Sequence, residues 1–149
     1  MTVPLSPADL AALGARISQL PAMLQMGATA DFTDPDAVRV RIARLEAYHR
    51  SGMGTEAVNG AVIAALCDAA VGFAGTLRTF GRRAGTAQLS IQFLRPVHGG
   101  SVEAIGRVVR AGPNLVFATA EVRDDQGALC ARCDGIVAVS QGKPGEMAF

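Results

Sequence analysis

The stretch VNGAVIAALCDAAVGFAG, from Val58 to Gly75, constrains the fold more than any other part of this chain. Nearly every residue in it is small or apolar, Pro is absent, and one carboxylate, Asp68, sits in the middle. Apolar residues on all sides of a helical wheel predict a helix covered around most of its circumference. The many Ala and Gly residues let the covering elements approach its backbone closely. A charge in such a helix is costly to bury without a partner, so Asp68 is either satisfied structurally or kept for function.

A helix of this length could reach across a bilayer. An aspartate near the membrane centre, however, costs roughly 2.5–3.5 kcal/mol on insertion scales, and Leu and Ile are too few here to offset it. The expectation is a core helix of a soluble protein, with no membrane partner. Half of the 149 residues are hydrophobic and 18% are charged, which excludes a disordered class. Fourteen basic residues against thirteen acidic ones give no electrostatic footprint for nucleic acid. The N-terminus, MTVPLSPADL, has no basic segment ahead of an apolar one, so it does not read as a signal peptide. With three cysteines, which cannot all pair in one chain, the expectation is a reduced, cytoplasmic protein. Cys130 and Cys133 form a C-x-x-C within a strand-like run. Residues three apart on a strand face opposite ways, so both read as core thiols rather than a metal or redox pair.

Ahead of the apolar helix, Ser6-Pro7-Ala8-Asp9 is a helix start, followed by Leu10, Leu13, Ile17 and Leu20 at helical spacing. Pro21 perturbs this helix, the pattern fades near Gly27, and ADFTDPD reads as a loop. Ala37 to Tyr48 alternates as a strand with Arg39, Arg41 and Arg44 on its solvated face, and HRSGMGTEA reads as a Gly-punctuated loop. The apolar helix then spans about Asn59 to Leu77. TAQLSIQFL, SVEAIGRVVR, LVFATAEVR and ALCARCDGIVAVS follow as four strands, separated by the turn sequences VHGG, AGPN and DDQG. The fold class is α+β, a strongly curved antiparallel sheet wrapped around one long central helix. Residues 1–149 read as one domain: an N-terminal helix and loop over 1–36, a core over 37–140 and a loose tail over 141–149.

Asn59 is a good N-cap for the central helix, and Gly60 beside it has no side chain to keep a ligand away. Backbone N–H groups and the positive end of the helix dipole there suit the oxygen of a carbonyl. Asn59 and Asp68 are nine residues apart, about 13 Å along one helix, so no small carbonyl reaches both. If the two features act together, the helix start comes from one subunit and Asp68 from another.

The order of elements, together with NGAVIAALCDAAVGFAG and SIQFLRPV, resembles the hotdog-fold acyl-CoA thioesterases of the PaaI type over about residues 37 to 140. That group shows His-Gly-Gly at the helix start and an acid nine residues after the His. Here Asn59-Gly60-Ala61 and Leu66-Cys67-Asp68 fall at the matching places. The resemblance implies hydrolysis of an acyl-CoA thioester by a homodimer, often paired into a tetramer. The Gly60 N–H would polarise the carbonyl, with Asp68 of the partner subunit as base or nucleophile and Thr86 positioning the water. CoA would be part of the substrate, and neither a metal nor any other cofactor is implied. Asn59 stands where the family has its His and cannot shuttle a proton. Ala61 replaces the second Gly, Met53 occupies the place of an Asn donor, and Glu56 brings a charge into the same loop. These three are candidate substrate-binding positions.

His98-Gly99-Gly100 spells the family motif literally but falls in a strand-to-strand turn, with no helix behind it, and His49 reads as structural. Two other functions compete. A hotdog module that binds acyl-CoA without catalysis, as a sensor or carrier partner, is consistent with the loss of the motif His. A hotdog dehydratase needs a His near the helix, and none lies between His49 and His98.

Overall fold

In three of the four strands after the apolar helix side chains alternate between a buried and an open face, while the first of the four has only half-buried and exposed residues. In the computed structural model, which describes residues 5–52, 56–79 and 82–140, the four are β5 (Ala84–Phe93), β6 (Val102–Ala111), β7 (Leu115–Asp124) and β8 (Leu129–Val139). Ahead of them lie α1 (Pro7–Ser18), α2 (Pro21–Met26), β1 (Ala28–Asp31) and β2 (Val38–Ile42). Next come the small ribbon of β3 (Arg50–Gly52) and β4 (Ala57–Val58), and the central helix α3 (Gly60–Thr79). The main sheet is antiparallel throughout, in the order β1-β2-β6-β7-β8-β5, which leaves β1 and β5 at its edges.

The sheet curves around α3, which packs across β2, β5, β6, β7 and β8. Ile63, Leu66, Cys67, Ala70, Val71 and Ala74 form the covered side of α3 and meet Val40, Ala104, Val116, Ala118 and Val137 in one core. Complete burial of a side chain such as Leu66 contributes about 1.5–3 kcal/mol. Among the described residues α3 is the one helix long and apolar enough to cross a membrane. Its packing against the sheet is that of a core helix.

Four details differ from the sequence reading. Pro21 divides the first helix outright: α1 stops at Ser18 and α2 restarts with Pro21 at its first position, where a proline is tolerated. The segment read as a loop begins with the last two residues of β1, with Ala30 paired to Val40 and Asp31 to Arg39. Strand β2 ends at Ile42 rather than Tyr48, and a 3-10 turn occupies Ala47–His49. The turn is closed by the His49 ring, whose Nδ1 accepts the Glu46 N–H at 2.9 Å, a bond that alternation of hydrophobicity does not reveal. Finally, both cysteines of the C-x-x-C are buried core thiols as expected, but they do not face opposite ways, because the β7–β8 register shifts between Val122 and Arg123 and turns Cys130 inward. They still have different neighbours. The Cys130 Sγ lies 3.4 Å from the Ala128 carbonyl, whereas Cys133 meets Cys67 of α3.

Candidate active site

Helix α3 starts where it does because Asn59 caps it. The Asn59 Oδ1 accepts the Ala61 N–H at 2.8 Å, and its main-chain carbonyl accepts from Val62 at 3.0 Å and Ile63 at 3.3 Å. Of the amides at this end, that of Ala61 is therefore already occupied. The Gly60 N–H has no acceptor among the described residues, and it is the open donor at the positive end of the dipole. The ring of Phe93, at the end of β5, lies beside it: a side-chain carbon on Gly60 would sit 3.6 Å from that ring. Phe93 is 57% exposed, so this end of the helix has an open aromatic wall.

Asp68 is exposed in the single chain, not buried as the surrounding apolar run suggests. The reason is periodicity. Leu66, Cys67, Ala70 and Val71 occupy the covered side of α3, while Ala61, Ala65 and Asp68 lie along an open stripe at spacings of four and three. That stripe is made of small side chains with one carboxylate. Asp68 borders a cavity of about 520 Å³, whose walls also include Met23 and Met26 of α2, Phe73 of α3, Arg83 and Thr86. The Thr86 Oγ1 lies 3.2 Å from where a side chain on Gly72 would begin. Gly72 follows Asp68 by one helical turn, so hydroxyl and carboxylate share one side of α3.

Gly60 and Asp68 are thus at separate places on one protomer, about 12 Å apart along the helix axis. Glu56 is exposed and does not line the cavity; its carbonyl accepts from the Arg50 Nη1 at 2.8 Å. Met53 lies outside the described residues. His98 is exposed in the turn between β5 and β6. His49 is 2% exposed and satisfied at both ring nitrogens: Nδ1 accepts from Glu46, and Nε2–H donates to the Met26 carbonyl at 2.9 Å. Its own carbonyl accepts the Asn59 N–H at 2.8 Å, which ties the end of α2 to the cap of α3.

Cys67 adjoins Asp68 in sequence but faces the core. A hydrogen bond with Cys133, and then burial, push its thiol up and keep it protonated, which removes it as a nucleophile. Among the described residues no three His, Cys, Asp or Glu side chains converge as metal ligands would. Met23, Met26, Phe73 and Phe93 were not singled out from the sequence. Their apolar periodicity is that of ordinary core, and only the fold-back of α2 and the edge position of β5 bring them to the site.

A family model of the thioesterase superfamily matches residues 56–131, 76 of the 149 residues. The chain belongs to the thioesterase superfamily. The fold is similar to that of the E. coli PaaI protein from the phenylacetic acid degradation operon, at 21% identity and a TM-score of 0.77, over 93% of this chain and 99% of that one. A Shewanella oneidensis protein related to the superfamily gives 23% identity and 0.79, over 90% and 97%. A Haemophilus influenzae thioesterase gives 18% and 0.77, over 93% of each chain. No curated protein sequence matches. The fold is the hotdog fold that these structures share, and membership of the superfamily supports thioester hydrolysis as the general activity. The structural likenesses extend beyond residues 37–140, so the N-terminal part that the sequence reading left outside the resemblance belongs to the shared architecture.

Proposed function

We propose that this thioesterase hydrolyses acyl-CoA-type thioesters at sites shared between the two subunits of a homodimer. The observation that carries the reading is the open stripe of α3, Ala61, Ala65 and Asp68, with an unoccupied Gly60 N–H at its start. Two antiparallel copies of α3, crossing near residue 64, bring Gly60 of one beside Asp68 of the other. The Ala side chains permit close approach. The exposed edge strand β5 offers the second copy ten residues of unpaired backbone along one side.

In this arrangement the carbonyl oxygen of the thioester takes the Gly60 N–H. The carboxylate of Asp68 from the partner subunit removes a proton from a water held by the Thr86 hydroxyl. The resulting hydroxide attacks the carbonyl carbon, and the negative charge that develops on its oxygen is stabilised at the helix N-terminus. Collapse breaks the C–S bond, and the thiolate of CoA recovers the proton from Asp68. Direct attack by the carboxylate, through an anhydride that water then opens, uses the same atoms. Asn59 acts through its cap, by holding the first turn, and Ala61 leaves the groove clear. Met53 and Glu56 stay candidate contacts of the substrate, Met53 from its place in the sequence alone and Glu56 as an exposed residue just ahead of β4. CoA is substrate, no further cofactor takes part, and the cytoplasm supplies the acyl-CoA pool. A dimer of dimers is compatible with the same sites.

The test is hydrolysis of a panel of short, long and aromatic acyl-CoAs by wild type and Asp68→Asn, with the oligomer checked by sedimentation. Loss of about 10²–10⁴ in kcat with an intact oligomer is expected for removal of the base. Unchanged turnover in Asp68→Asn would overturn the mechanism.

A further inference from the structure

We propose that α2 is the selectivity wall of the acyl-binding cavity, with Met23 as the residue that sets how long an acyl group fits. The proposal rests on the thioester-hydrolase reading of the cavity beside Asp68. That cavity has a mixed lining. Asp68, Arg83 and Thr86 supply polar side chains, as does Thr76, whose hydroxyl donates to the Gly72 carbonyl. Leu20 at the cap of α2 and Met23 and Met26 within it, with Ala65, Ala69 and Phe73 of α3, make up much of the apolar lining. An uncharged hydrocarbon chain fits the apolar part while its carbonyl stays at the carboxylate.

Met23 borders this space but is only 3% exposed although α2 runs over the surface, because its side chain is packed into the core as the floor beneath the cavity rather than standing free in it. A helix of six residues has little stability of its own. Three fixings hold this one in place. Pro21 presets its first turn, and Gly27, at φ 65°, closes its end with an N–H to the Leu24 carbonyl at 3.1 Å. The third is His49, whose Nε2–H donates to the Met26 carbonyl at 2.9 Å. Because Nδ1 accepts from the Glu46 N–H, the proton is held on Nε2, the tautomer that this bond needs. The wall is therefore anchored on a framework outside the cavity, and the side chains it carries decide the depth.

Changes on the two walls move the limit in opposite directions. Met23→Ala removes three heavy atoms from one wall, and Ala69→Leu adds three to the other. The expected result is an optimum about two to three carbons longer in the first and shorter in the second. The preference between chains on either side of the wild-type optimum changes roughly tenfold. The experiment measures kcat/KM for acyl-CoAs from acetyl to palmitoyl and, in parallel, Kd for the matching S-alkyl-CoA thioethers, which cannot be hydrolysed. Opposite shifts in both profiles support the wall. A wild type that turns over no thioester, with thioether binding still shifted oppositely by the two variants, sinks the hydrolase reading and leaves the wall standing. Profiles unmoved in folded variants overturn the wall, and if Met23→Ala does not fold, an unmoved profile in Ala69→Leu alone does so.

Discussion

At Gly60 a proline removes the one backbone group of interest and little else. Position 60 is the first of the helix, where proline's fixed φ suits the chain and the N–H has no acceptor within the helix. Its Cβ would meet Phe93 at ordinary contact distance, 3.6 Å from the ring, and that ring is itself exposed and free to shift. Gly60→Pro is therefore expected to leave the helical circular dichroism unchanged and to lower kcat by about 10²–10³, the effect of losing one oxyanion donor. A normal kcat in a folded Gly60→Pro protein would show that the carbonyl does not bind there. Thr86 permits a complementary test of its hydroxyl. Thr86→Ser keeps the oxygen that lies against Gly72, whereas Thr86→Val keeps the shape and loses it. Activity should survive the first and fall in the second. Equal rates in the two would remove Thr86 from the mechanism.

Helix and sheet meet most closely where β6 passes beneath α3, and Gly106 makes that crossing possible. A Cβ on Gly106 would run into the main-chain carbonyl of Ala70, which cannot swing aside as a side chain could. Gly106→Ala is expected to cost about 1–3 kcal/mol in urea unfolding, as overpacking does, with the strand pushed away from the helix. Gly85, also in a strand, has nothing within 4 Å of such a carbon, so Gly85→Ala serves as a control with little change. Equal stabilities would mean that α3 and β6 do not approach this closely. The close approach was already legible in the sequence as the run of Ala and Gly around Asp68, and so were α3 itself and the four strands after it. What was hidden depends on contacts between distant segments. Strand β1 has only four residues and owes its existence to pairing with β2. The end of β2 is set by the His49 ring, and α2 becomes a cavity wall only when His49 fastens it above α3. Even Asp68 was misjudged in one respect. Leu66 and Cys67 just before it are buried, but the open stripe on which it lies follows from which side of α3 the sheet covers.

For the whole molecule the decisive consequence of the proposed mechanism is that one α3 cannot complete its site. Gly60 and Asp68 are eight residues apart on a rigid helix, about 12 Å, and a thioester carbonyl with its attacking water spans much less. Two lesions at these positions should therefore complement each other between subunits. A homodimer of Asp68→Asn lacks the base in both sites, and a homodimer of Gly60→Pro lacks the donor in both. In the mixed dimer, one site combines the two lesions, while the other takes Gly60 from the Asp68→Asn chain and Asp68 from the Gly60→Pro chain, and so is intact. Unfolding and refolding equal amounts together makes half of the dimers mixed, each with one working site of two. The expected recovery is about a quarter of wild-type activity from two nearly inactive proteins, as a symmetric twofold interface requires. Adding Ala65→Glu to both chains places a charge on the stripe where the helices meet, and should abolish the recovery together with the dimer seen in sedimentation. Mixtures no more active than their components, in dimers shown to exchange subunits, would mean that each chain carries its own site and that Asp68 works without the neighbouring helix.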